Sequence, residues 1–276
     1  MTNSTFASII ICCALLASAS ATAHAAAPAG QDAMAGAQVR VDVGGRKLNM
    51  YCLGKGAPTV IFEADAGRAG WDWSAVLPDV AKRTRACVYD RAGFGASDPI
   101  IRASTVANAS KDLNFLIKNA RLEAPFVLVG AGYGAMVAQH FALRSRGAAV
   151  AGLVLVEPMD EDAFPADRAT QLDAALACLT DAEQGKTGAD CSYPTTGINP
   201  EIGSALASAQ AALVAKPAYW RARASELDSL ETSGTQMRTA RKPSGDIKVA
   251  EVKPGQPAAI VEAVLKMLAA PGATRE

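Results

Sequence analysis

The chain has 276 residues, half of them hydrophobic and 5% aromatic, with 27 basic side chains against 27 acidic ones. That balance gives no electrostatic footing for nucleic acid or for an anionic membrane surface. With no CxxC and no histidine cluster, no metal site is expected, and no cofactor either.

Residues 1–25 contain no Lys, Arg, Asp or Glu, carry an apolar run from Ile9 to Leu16, and end in Ala23-His24-Ala25. They read as a secretory signal peptide cleaved near Ala25, with Cys12 and Cys13 removed with it. The apolar core is too short to cross about 30 Å of hydrocarbon, so a stable membrane anchor is not expected and the protein is placed in the periplasm or the medium. An Ala-rich, flexible leader covers 26–37, and one domain covers 38–276, a length that suits a single full-sized core.

Val39 to Val43, the turn Gly44-Gly45, and Lys47 to Cys52 alternate in polarity as a hairpin does. The runs 59–63, 85–89, 126–131 and 152–156 are short and apolar enough for buried strands. Helices are expected over 73–82 and 105–120, the latter with Val106, Leu113, Leu116 and Ile117 inward. This alternation predicts a doubly wound, mostly parallel α/β sheet. Residues from about 160 to 235 break it with Ala-rich helical segments and read as an inserted helical lid. After them there is room for one weak strand, 247–252, and one amphipathic helix, 258–268.

Four cysteines remain after the signal: Cys52, Cys87, Cys178 and Cys191. An even number in an exported chain suggests disulfides, with three pairings open, and buried free thiols are the alternative. Cys178 and Cys191 bracket a polar, Gly-containing loop.

The strand Phe126-Val127-Leu128-Val129 runs into Gly130-Ala131-Gly132-Tyr133-Gly134 and then a helix. Together with Tyr51-Cys52-Leu53-Gly54, the block from Pro58 to Ala64, Trp71-Asp72-Trp73, the block from Val88 to Asp98, and the block from Gly152 to Pro158, this turn resembles the α/β-hydrolase superfamily. The resemblance is to its secreted bacterial esterase-like and peptidase-like branch, in order and spacing from about 38 to 165. It implies a sheet with a helical lid and a GxSxG nucleophile elbow whose serine position is Gly132. It also implies an oxyanion hole made by the backbone N–H groups of Tyr133 and Ala66, with Asp65 in place of a usual glycine beside it. The family's strand order makes the Cys52 and Cys87 strands neighbours, which favours Cys52 with Cys87 and Cys178 with Cys191.

Glycine has no side-chain oxygen to attack a carbonyl. The general base is missing too, because the histidines are His24, in the signal, and His140, eight residues past the elbow on the same helix and roughly 12 Å along its axis. At the C-terminus, one alignment sets Asp246 on the family's histidine turn. The other, which we favour, sets Gly245-Asp246-Ile247 before the acid-bearing strand and leaves the last strand absent. Asp90 and Arg91 read as turn organisers, Ser97 as a turn cap, and Tyr133 as a pocket wall.

Two functions follow. The first is an impaired hydrolase that binds a small ester, amide or other carbonyl ligand, or a partner protein. The second is an active hydrolase in which Asp65, Glu157 or Asp246 activates water. Oligomeric state is left open.

Overall fold

A computed structural model describes residues 31–144, 150–194, 198, 202–240 and 247–269. Its strands are Val39–Asp42 (β1), Lys47–Leu53 (β2), Thr59–Glu63 (β3), Ala86–Tyr89 (β4), Phe126–Ala131 (β5), Val150–Val156 (β6) and Lys248–Val252 (β7). Its helices are Gln31–Met34 (α1), Leu77–Ala81 (α2), Val106–Asn119 (α3), Tyr133–Arg144 (α4), Arg168–Glu183 (α5), Ser204–Val214 (α6), Pro217–Asp228 (α7), Leu230–Ala240 (α8) and Pro257–Ala269 (α9).

The strands form one seven-stranded sheet in the order β1-β2-β4-β3-β5-β6-β7. The β1/β2 and β2/β4 pairs are antiparallel and the rest of the sheet is parallel. The central strands are almost wholly apolar, Thr59 and Glu63 at the ends of β3 excepted, because both faces are covered. Side chains alternate, so Val60, Phe62, Val127, Val129, Val154 and Val156 meet α2 and α9, while Ile61, Leu128, Leu153 and Leu155 meet α3 and α4. Each such burial stabilises by about 1.5–3 kcal/mol relative to exposure. α3 begins where Thr105 caps it, its hydroxyl accepting from the Asn108 N–H at 3.3 Å, a contact worth about 1 kcal/mol.

Both expected disulfides are present. Cys52 stands directly opposite Cys87 in the β2/β4 register and is bonded to it, and Cys178–Cys191 ties α5 to the turn that follows it.

Three features differ from the sequence reading. The helix expected over 73–82 is a 3-10 turn, Gly70–Trp73, followed by the five-residue α2. Pro78 in the first turn of α2 has no N–H to extend a helix backward, so α2 starts there. The leader is partly ordered: Gln31–Met34 is helical and Met34, 5% exposed, packs into the core. The inserted helices run on to Ala240, because α8 packs against both α3 and α4.

β7 lies parallel to β6, Gly152 opposite Lys248 and Val156 opposite Val252. It is the last strand of the sheet among the described residues, with Val249 52% exposed. Residues 1–25, read above as a signal, and Asp246 fall outside the described residues. No described helix is long and apolar enough to cross a membrane, and no group of His, Cys, Asp or Glu among the described residues could hold a metal ion.

Candidate active site

β5 ends at Ala131 and α4 begins at Tyr133, so Gly132 alone makes the turn, with φ +48. This left-handed geometry costs a residue with a side chain roughly 1–2 kcal/mol. Gly134 fits for a different reason: a Cβ there would stand 2.3 Å from the Ala64 carbonyl oxygen, so the helix start and the β3 loop approach closely only without one.

The loop after β3 brings Asp65 to this turn. One carboxylate oxygen, Oδ1, accepts from the Ala66 N–H at 2.6 Å and from the Tyr133 N–H at 2.8 Å. A Cβ at position 132 would stand 1.9 Å from that oxygen and 2.3 Å from the Asp65 Cγ. The carboxylate therefore fills two places at once: the space a nucleophilic side chain would need and the point on which both backbone donors converge. Charge-assisted bonds from two N–H groups to one oxygen are strong by protein standards. The expected carbonyl ligand meets donors that are already occupied, and it would have to displace Asp65 to reach them.

The lid holds this loop down. On α7, the Tyr219 hydroxyl donates to the Gly67 carbonyl at 3.1 Å, Glu226 Oε2 accepts from the Gly67 N–H at 2.7 Å, and Arg223 Nη1 donates to the Ala66 carbonyl at 3.2 Å. Before α6, the Tyr193 hydroxyl accepts from the Ala69 N–H at 2.8 Å and the Trp71 indole at 3.0 Å, and donates to Asp72 at 3.0 Å.

Beneath the loop lies a buried ionic cluster. Arg91 Nε donates to Glu226 at 2.9 Å, its Nη1 to the Ala64 carbonyl at 2.5 Å, and its Nη2 to the Asp65 carbonyl at 2.8 Å. Arg91 also lies 3.6 Å from Glu63, which accepts from the Tyr89 hydroxyl. Burial raises the Glu63 carboxyl to about 7, Arg91 opposing the shift, and burial raises Glu226 as well. Arg91 and Asp90 thus organise loops, as their sequence context implies. Asp90 accepts from the Gly70 N–H at 2.8 Å, the Ala96 N–H at 3.0 Å and the Asn49 amide at 2.9 Å. Ser97 completes that turn, its hydroxyl donating to the Asp90 carbonyl at 2.6 Å.

The structure brings Gly132, Asp65, Ala66 and Tyr133 together. It leaves Glu157 exposed at the end of β6, with φ +45 and its N–H donating to the Val252 carbonyl at 3.1 Å. Tyr133 is fully buried, its hydroxyl donating to the Ser104 carbonyl at 2.8 Å, and burial raises its pKa, so it is a wall and no nucleophile. His140 is buried further along α4, its pKa pushed down to about 4 by burial and by Arg144. A void of about 30 Å³, lined by Tyr133, Arg91 and Glu226 among others, lies behind the site. A depression of about 290 Å³ lies beyond the elbow helix, between Met136, Met159 and Glu251. Neither is lined by Asp65, Ala66 or Gly132.

Sequence reasoning missed Glu226 and Arg223, which reach the loop from far along the chain. It also missed Glu63, whose place at the end of an otherwise apolar run is a signal that was there to be read.

The fold and the elbow together define an α/β hydrolase, and the chain belongs to the α/β hydrolase family, matching it over residues 56–264. Among curated proteins it is 30% identical over 105 residues to the uncharacterized protein YqjL of Bacillus subtilis, covering 38% of this chain and 41% of the relative. It is 28% identical over 107 residues to an AB hydrolase superfamily protein of Gibberella zeae, covering 38% and 33%. Each match spans less than half of the relative's own length. Among solved structures it is similar to Cfl2 from Burkholderia cenocepacia, with TM-score 0.64 and 18% identity over 82% of this chain and 94% of that one. It is also similar to the haloalkane dehalogenase DbeA from Bradyrhizobium elkani, with TM-score 0.61 and 17% identity over 84% and 97%. A third likeness is the enol-lactonase from Burkholderia xenovorans, with TM-score 0.58 and 15% identity over 84% and 100%. At these identities the structural likeness establishes the fold alone.

Proposed function

We propose that this chain is a catalytically silent member of its family, exported through its N-terminal signal, that binds a small carbonyl compound or a protein partner without turning it over. The observation that supports this reading is the placement of Asp65. Acyl transfer needs a nucleophilic oxygen, a base to take its proton, and donors aimed at the developing oxyanion. The first is absent at Gly132, the second has no histidine to supply it, and the third is occupied. A triad hydrolase stripped of its triad keeps about 10³ to 10⁴ over water from its oxyanion hole and binding. Here even that residue is suppressed, because an anion sits where the oxyanion would form.

One specific observation favours a second reading. The Asp65 carboxylate stands where a nucleophile's side chain would stand, so it is the group best placed to activate water. The two roles compete, since the oxygen that would take the proton blocks the donors the substrate carbonyl needs.

Hydrolysis of a short-chain p-nitrophenyl ester by the mature protein, beside Asp65→Asn, Asp65→Gly and Glu157→Gln variants and a protein-free blank, separates the readings. Silence in the parent, with no loss in Asp65→Asn, is the expected result. Turnover above the blank that falls in Asp65→Asn would replace the silent reading with the carboxylate-based one. Export is checked by the N-terminus of the secreted product, expected just after Ala25. The two disulfides are those of a chain that matures in an oxidising compartment.

A further inference from the structure

On the flank of the elbow helix, away from Gly132, helices α3, α4 and α8 enclose a groove of about 560 Å³. Among the described residues its charged lining is Lys111 from α3 and Arg144 from the last turn of α4, with no Asp or Glu. In a chain whose 27 basic and 27 acidic side chains balance, this is a local excess. Neither cation forms an ion pair with the described residues. Lys111 only overlies the Phe115 ring at 6.0 Å, and Lys111 and Arg144 are both exposed.

The neutral lining offers two amide donors. Gln236 spends its oxygen on the Ala107 N–H at 2.9 Å, which leaves its amide nitrogen for the groove. Thr235 and Thr239 give their hydroxyl protons to the carbonyls of Glu231 and Thr235, at 3.1 and 2.7 Å, and Thr235 Oγ1 accepts from Arg238 at 2.9 Å, so neither hydroxyl donates into the groove. Asn114 adds a second amide, and the buried ring of Phe141 supplies an apolar wall. His140 closes the groove, 8% exposed, with its Nδ1 buried and without a hydrogen-bond partner. Among the described residues the charged groups lining the groove with it are Lys111 from α3 and Arg144 from its own helix; the α8 side chains in the lining are neutral, and Arg238 of α8 is held by Asp162 and Thr235.

We propose that this groove binds a small ligand carrying a tetrahedral dianion, a phosphate or phosphate monoester, held by Lys111 and Arg144 and oriented by the amides of Asn114 and Gln236. Two uncompensated cations match two negative charges, and amide nitrogens donate to the remaining oxygens. The site is independent of the elbow: Arg144 lies at the far end of α4, roughly 16 Å along the axis from Tyr133.

The test is titration calorimetry of the mature protein with inorganic phosphate, glucose 6-phosphate and glucose. Low salt and a pH of about 8, above the second pKa of about 6 of a phosphate monoester and the higher one of inorganic phosphate, keep both phosphates dianionic. Saturable binding of the two phosphates and not of glucose is expected, weakened at least about tenfold in Lys111→Gln and in Arg144→Gln, at about 1.4 kcal/mol per tenfold. Both side chains are exposed, so the variants retain the fold, which an unchanged melting temperature verifies. Tighter binding of the ester than of inorganic phosphate marks an organic ligand, and equal binding marks the free ion.

His140 is the only histidine beyond residue 24, so its imidazole NMR signal gives a second readout. Its midpoint, about 4, should rise in sulfate relative to chloride of equal ionic strength, and this anion dependence should vanish in Arg144→Gln. No saturable heat, or binding unchanged in both variants, would overturn the proposal and leave Arg144 as a cation that offsets the negative end of its helix.

Discussion

On the β3–β4 side of the sheet's rim, Glu63, Asp90, Arg91 and Glu226 are between 1 and 6% exposed and interlocked by hydrogen bonds to each other and to the loop backbone. On the β6–β7 side, Glu157 and Glu251 stand in solvent and the last described strand has an exposed Val249. The resemblance to serine hydrolases assigns the elbow and the oxyanion donors to the first side and the acid and histidine to the second. The contrast teaches that this chain keeps what its own stability requires. The first side is load carried by the fold, since each buried charge depends on the others. The second carries exposed side chains, and among its described residues there is no histidine.

The comparison breaks most visibly at Arg91. Arg91→Leu leaves Glu63 and Glu226 buried without their cation and should cost about 3–5 kcal/mol in denaturant unfolding. A loss below about 1 kcal/mol would mean that both carboxyls are already neutral and that the cluster is no ion network. Next in size is a cycle at the elbow. Gly132→Ser sets a side chain in left-handed backbone against Asp65 and should cost about 2–3 kcal/mol. In the Asp65→Gly background the overlap disappears, so the cost should fall by about 1 kcal/mol or more, a coupling that additivity would not give. Neither variant should hydrolyse an ester well, since no histidine among the described residues stands beside the new hydroxyl.

Acid stability sharpens the comparison further. His140 titrates near 4 folded against 6.5 free, so its contribution is complete above about 6.5 and is lost as pH falls toward 4. Glu63 titrates near 7 folded against 4.5 free, so its contribution is complete below about 4.5 and is lost as pH rises through 7. The two slopes oppose each other in the parent. His140→Gln should unmask a fall in stability with rising pH, and Glu63→Gln should unmask a rise, both read from melting temperatures across that range. The smallest effect is expected on the open rim, where Glu157→Gln should change stability by less than about 0.5 kcal/mol.

Much of this was legible before any coordinates. The buried strands announce themselves as short apolar runs, the elbow as glycines between strand and helix, and Cys52 with Cys87 through the strand order implied by the resemblance. Asp65 was readable as a carboxylate near the donors. That it occupies them was not, because the direction of a loop side chain is set by what surrounds it. The lid contacts were hidden for a similar reason: Glu226 reaches Gly67 across 159 positions of sequence, and α7 carries no apolar stripe to mark which face looks inward. Pro78 could have shortened the helix over 73–82, had its missing N–H been weighed against the apolar pattern.

Asp65 also has a meaning in terms of competition. A carboxylate tethered one peptide bond from one of its donors is a ligand that never diffuses away, present at an effective concentration of millimolar or above. Any external oxyanion or carbonyl reaching for the Ala66 and Tyr133 N–H groups binds only the fraction of molecules in which Asp65 has swung out, and its apparent affinity falls by that fraction. The strength of this site toward outside molecules is therefore set by how often one side chain of the protein itself lets go.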